Sequence, residues 1–124
     1  MLHTDDQIVS GYYKHQQTQA DEDFWAWEEV DELCHDLSSG LRITQKLIES
    51  APSDWSLALI GAGPLEDLVY RFKLPAVNAI AAIAEKSERM QRAMRSVNID
   101  EDQPALEVIW DALLNNYRGD VDAL

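Results

Sequence analysis

Apolar residues recur at three- and four-residue spacing along nearly the whole chain, and strand signals are almost absent. That period is the signature of helices that each bury one side. Beta-branched runs, Asn-Gly turns and strict alternation are all missing, so a sheet has nothing to build on. Thr4 followed three residues later by Gln7 reads as a capping box, and it opens a first helix over about 5–17. Ile8, Tyr12 and His15 share one side of it, with Val9 and Tyr13 beside them. A second helix is predicted over 21–39. Asp21, Glu22 and Asp23 lie at its start, where the helix dipole favours negative charge. Trp27, Val30, Cys34, Leu37 and Leu41 form its core-facing stripe, with Leu33 alongside and Gly40 as the C-terminal cap.

The rest is punctuated by glycine and proline. A third helix covers roughly 41–50 and ends at Ala51-Pro52-Ser53. Asp54 caps a short fourth helix that Gly61-Ala62-Gly63 stops. Pro64 then takes the first-turn position where proline is tolerated, with Glu66 and Asp67 close behind. Pro75 opens another helix, Ser87 recaps the chain near a bend, and 98–103 is a polar acidic loop. Pro104 starts the last helix, Gly119 ends it, and the tail 120–124 frays. These signals predict an all-α fold, a compact bundle or irregular array of about six to eight short helices. The chain reads as one domain over 1–124, with acidic N-terminal helices over 1–40 and a short-helix core over 41–118.

Charge then narrows the partners. The 23 acids and 10 bases leave a net −13. Residues 1–41 hold ten acids and one base, Lys14. Residues 42–98 hold six acids and eight bases, and 99–124 hold seven acids and one base. A field of this sign repels nucleic acid and anionic membrane and attracts a basic protein. The lone Cys34 cannot form an internal disulfide, and the N-terminus lacks the basic start and apolar run of a signal peptide. The expected location is the cytoplasm.

The motifs for catalysis are thin. Glu32-Leu33-Cys34-His35 has the Glu-x-x-His spacing of di-iron bundles, but that chemistry needs two such motifs and two further carboxylates. Cys34 lies on the apolar stripe, where a thiol behaves as a small hydrophobe. Gly61-Ala62-Gly63-Pro64 lacks a preceding strand, and its neighbouring acids repel phosphate. Lys86, Arg89, Arg92 and Arg95 drift around their helix, and they read as a solvated face pairing with the acidic ends. No catalytic, cofactor or metal set is predicted.

One face of the second helix stands out. On an unbroken helix over 21–39, Asp21, Trp25, Glu28, Glu29, Glu32 and Asp36 lie opposite Trp27, Val30, Cys34 and Leu37. An aromatic anchor ringed by charge is a common form of binding hot spot. The expected function is a small acidic interaction protein, an immunity protein or antitoxin that blocks a basic toxin such as a nuclease. Trp25 or Tyr12 would be the anchor. The alternatives are a helical scaffold or nucleic-acid mimic without a toxin partner, and a small-ligand binder or enzyme with a pocket at Glu66, Asp67 and Tyr70. In the blander reading of the same face, Trp25 packs under the N-terminal helix while the acids only solvate it.

The stretch from Trp55 to Val69 contains Gly63-Pro64-Leu65-Glu66-Asp67-Leu68 after a short apolar helix. It resembles a bacterial family of uncharacterised small helical proteins, the domain-of-unknown-function family numbered 6869. The apolar segment 76–84 and the late Trp110 are similar too, so the resemblance covers about residues 40–112. It implies an all-helical domain and carries no assigned activity.

Overall fold

A computed structural model describes residues 3–122, with side chains described as far as residue 117. No strand occurs among the described residues. The helices are α1 (Asp5–Thr18), α2 (Phe24–Leu33), α3 (Leu37–Ser50), α4 (Asp54–Ile60), α5 (Glu66–Phe72), α6 (Leu74–Ala84), α7 (Glu88–Met94) and α8 (Pro104–Asp122). A 3-10 turn at Asp21–Asp23 leads into α2, and a π turn at Gly61–Leu65 joins α4 to α5.

Local chemistry explains most of the boundaries. The Thr4 side chain accepts from the Gln7 N–H, and the Gln7 side chain accepts from the Thr4 N–H, which completes the capping box. Ser53 and Ser87 cap α4 and α7 by accepting from Ser56 and Met90. The α4 cap is thus Ser53 rather than Asp54, because the residue before the first helical turn holds the extended backbone that capping requires. The last helix passes through Gly119 to Asp122 instead of stopping there. Of the expected frayed tail, 123 and 124 lie outside the described residues.

Two boundaries differ more deeply. The predicted helix over 21–39 is two helices. Asp36 adopts extended backbone (φ −124°, ψ 130°) and its side chain accepts from the Ser39 N–H at 2.9 Å. That cap starts α3 and forces the break. Gly40 therefore lies inside α3, where a Cβ would stand 2.8 Å from the Cys34 Cα and from Leu68. It permits close helix approach and caps nothing.

The other difference is at 61–63, where the chain does not stop. The Glu66 N–H donates to the Gly61 carbonyl, a five-residue step in place of four. Pro64, inside this wider turn, lacks the N–H that a regular helix would use there. The turn absorbs the proline, and α4 and α5 continue as one rod. Counted this way there are seven helical rods among the described residues.

α3 is the central strut and touches α1, α2, α4, α5 and α7. Ile43, Leu47 and Ile48 point from it into the core, where Ile60, Leu65, Leu68, Val69, Ile80, Met90, Met94 and Trp110 complete one cluster. Tyr13 donates to the Leu47 carbonyl and ties α1 to the strut. α8 joins through Leu106, Trp110 and Leu114.

The middle segment's cations hold the fold together and, among the described residues, pair with few acids of the two ends. Arg89 donates to the Ile48 and Ala51 carbonyls at 2.9 and 2.7 Å, closing the end of α3. Arg71 donates to the Cys34 carbonyl at 2.8 Å. Arg95 donates to the Tyr117 carbonyl, and Arg92 pairs with Glu88 and Asp54. The stretch 86–95 is thus not a face that pairs with the acidic N-terminal helices.

The middle segment's cations do engage one N-terminal acid, Asp5. Lys46 and Arg42 lie 3.0 and 3.1 Å from the Asp5 carboxylate and hold it below the usual carboxylate range. A depressed folded-state pKa stabilises above the unfolded value and loses that contribution as pH falls through the folded one. Asp5→Asn is therefore expected to lower the melting temperature at pH 7. The gap to the parent should close as pH drops below about 4. Thermal melts at pH 7 and pH 3 check both halves.

Candidate functional site

Ending α2 at Leu33 re-aims its faces. Its buried side is centred on Ala26 and Val30, with Leu33 half-buried. Trp27, expected on the core-facing stripe, lies on the edge and is 43% exposed. Phe24, one turn earlier, is 41% exposed, and its ring stacks on Trp27 at 5.3 Å and 14°. His15 of α1 meets the Phe24 ring edge-on at 5.5 Å.

Trp25 goes the other way. It is half-buried and stacks on His3 at 4.0 Å. It also packs so closely on α1 that a Cβ at Gly11 would come within 2.9 Å of its ring. Trp27 has left the core-facing stripe, while Trp25 packs under the N-terminal helix, as in the blander reading of that face. The stripe Trp27–Val30–Cys34–Leu37 presumed a helix running past residue 36. With the break there, the centre of burial moves back onto Ala26, and Leu37 and Leu41 belong to α3.

The acids divide. Glu28 and Glu32 stand one turn apart on the exposed face of α2, and Asp21 is exposed in the preceding 3-10 turn. Glu29 is half-buried, and its carboxylate lies 2.8 Å from His3 Nδ1. Asp36 lies beyond α2 as the α3 cap, and its hydrogen bonds from Ser39 hold its carboxyl below the usual range. Among the described residues, no Lys, Arg or His nitrogen comes within 4.0 Å of Asp21, Glu28 or Glu32. Asp23 is buried, with Lys14 at 3.8 Å. The sequence reading missed Phe24. Its spacing of three from Trp27, directly before Glu28, was the available signal.

Behind Trp27 lies a crevice between α1, α2 and the π turn. Its outer part, about 330 Å³, is lined by Tyr12, His15, Gln16, Trp27, Leu59 and Ala62, among others. An inner pocket of about 60 Å³ continues past Tyr12 and Trp27 to Asp31, Cys34, Pro64 and Asp67. Leu59, on the outer wall, is 37% exposed, and Trp55 one turn earlier is 59% exposed. Phe24, Trp27, Leu59 and Trp55 thus make an apolar margin along this side of the molecule.

The three residues proposed for a pocket at 66–70 are not brought together. Asp67 rims the inner pocket, and burial against its wall pushes the carboxyl above its usual range. Glu66 instead accepts from the Asn98 N–H at 2.7 Å, and Tyr70 donates to the Asn98 carbonyl. Both hold down the acidic loop.

Burial pushes the Cys34 thiol up to about 11, so it stays protonated at neutral pH. Tyr12 is likewise pushed up to about 12 by burial. His35 of the Glu-x-x-His motif faces Asp31, at 3.9 Å. Among the described residues no three His, Cys, Asp or Glu side chains cluster for a metal. No described helix is long and apolar enough to cross a membrane.

No curated protein and no solved structure matches the chain. A family model does match, and it reaches further toward the N-terminus than the resemblance around 40–112, taking in the C-terminal part of α1 from residue 13 and all of α2. Spanning residues 13–117, that match shows that the chain belongs to DUF6869, a family of unknown function.

Proposed function

We propose that this chain is a small acidic binding protein whose partner is a basic protein, seated on the Phe24–Trp27 edge of α2. The observation that carries the reading is the stacked, exposed Phe24–Trp27 pair beside Glu28 and Glu32, which have no cation of their own among the described residues. Exposed aromatic pairs gain from burial, and unpaired carboxylates gain from an incoming cation. The net −13 steers such a partner into place. Neither nucleic acid nor an anionic membrane meets these terms. An inhibitor of a basic toxin, such as an immunity protein or antitoxin against a nuclease, is the form that best fits the charge. A lone buried thiol suits the reducing bacterial cytoplasm, where we place this action. We assign no catalytic step.

Co-expression with the product of the adjacent gene tests the pairing. A harmless product that does not co-purify would remove the toxin form of the proposal. Glu28→Lys with Glu32→Lys is expected to slow association about tenfold or more at low salt. The thermal melt should stay close to the parent's. Association rates measured from low to high salt check this, and a parent rate insensitive to salt would count against the acidic face.

A further inference from the structure

We propose that the crevice behind Trp27 is a subsite for one arginine side chain of the partner, its stem lying in the outer crevice and its guanidinium in the inner pocket. This rests on the binding-protein reading and names the partner chemistry it requires. The inner pocket is about 60 Å³. A pocket for a whole small molecule spans roughly 300–1,000 Å³, so this one takes a single head group. The outer crevice, about 330 Å³, offers Leu59, Ala62 and the Trp27 ring to a hydrocarbon stem.

The lining suits a guanidinium in particular. Trp27 supplies a half-exposed aromatic surface on which a planar cation stacks. Asp31 and Asp67 come from different helices to the inner pocket and offer two carboxylates to a forked donor. Gln16 lines the outer crevice from α1, nine-tenths buried, and its Oε1 is an acceptor with no hydrogen-bond partner among the described residues. The site's own cations do not fill it. Neither Arg71, turned to the Cys34 carbonyl, nor His35, 3.9 Å from Asp31, lines the inner pocket. His15 lines the outer crevice against the Phe24 ring.

The test uses the full chain and a blocked arginine amide as probe, with the matching citrulline amide as its neutral isostere. Titration is followed by amide and indole NMR shifts. The arginine amide is expected to give saturable shifts at the Trp27 indole and the Gly63 amide. The citrulline amide should bind about tenfold more weakly. Asp67→Asn and Asp31→Asn should each weaken arginine binding, while Asp111→Asn on α8 leaves it unchanged. Equal binding of the two amides would overturn the proposal. So would shifts confined to Glu28 and Glu32, or Asp31→Asn and Asp67→Asn variants that fold and still bind fully. A basic partner that needs Phe24 and Trp27, with no arginine shift in the crevice, would overturn the subsite alone. Arginine binding in the crevice, with no basic protein partner found, would support the subsite and count against the wider reading.

Discussion

Gly61→Ala is expected to destabilise the protein by about 3 kcal/mol, the upper end of what one forced side chain costs in a packed interior. The added Cβ would stand 2.0 Å from the Ala93 carbonyl oxygen and 2.9 Å from its carbon. Both are backbone atoms of α7, so no rotamer change relieves the contact. Moving α7 outward would pull Met90 and Met94 from the core, where both are fully buried. Gly63 is the internal control. The nearest atom to a Cβ there is the Tyr12 hydroxyl at 3.9 Å, an ordinary contact. Gly63→Ala should be neutral or stabilising by up to about 1 kcal/mol through helix propensity. Urea unfolding of both variants, with unchanged slopes, reads the contrast directly. Equal stabilities would mean that α7 does not lie against the π turn as described.

Trp27→Ala should weaken the proposed partner complex by about 2 kcal/mol, roughly thirtyfold, as truncating an aromatic hot spot does. The free protein should lose little stability, because the ring is 43% exposed and stacks on a Phe24 that is itself 41% exposed. Trp25→Ala should do the reverse. It removes the ring that fills the space over Gly11 and stacks on His3, so stability falls while affinity stays within a few-fold. Calorimetry for binding and thermal melts for stability, run on both variants, separate the two roles. Affinity lost with Trp25 and kept without Trp27 would restore the face expected from an unbroken helix and remove the one proposed here.

The helical class, the capping box at Thr4, the recap at Ser87 and the start at Pro104 were legible because each is a local signal. At Thr4 and Ser87 a side chain meets a backbone N–H three residues away, at Pro104 the ring takes a first-turn position where its missing N–H costs nothing, and nothing distant overrules them. The break at 34–36 was harder to see. Its apolar spacing runs on unbroken from α2 into α3, and only Asp36, three residues before the Ser39 N–H it binds, marks the start of a new helix. The π turn was misread for a related reason. Gly-Ala-Gly-Pro is a stop by propensity, but α7 presses on Gly61 and the core holds Leu65 and Leu68, so tertiary packing carries the helix through. The acids of the N-terminal face were visible in the sequence. Which aromatic stood beside them was not, since one broken helix turns the answer by a full side of the cylinder.

The π turn also acts as a phase shifter. A regular helix advances about 100° per residue, and the extra residue at 61–65 offsets everything after it by one such step. In that phase Leu68 and Val69 face the core, and Glu66 and Tyr70 reach the loop at 98–100. Removing one residue from the turn would make a smoother helix and rotate α5 out of both engagements. The length of the segment 54–72 is therefore as binding a constraint as its composition, whereas the loop before α8 has no helical phase to keep and is held only at points such as Asn98 and Asp100.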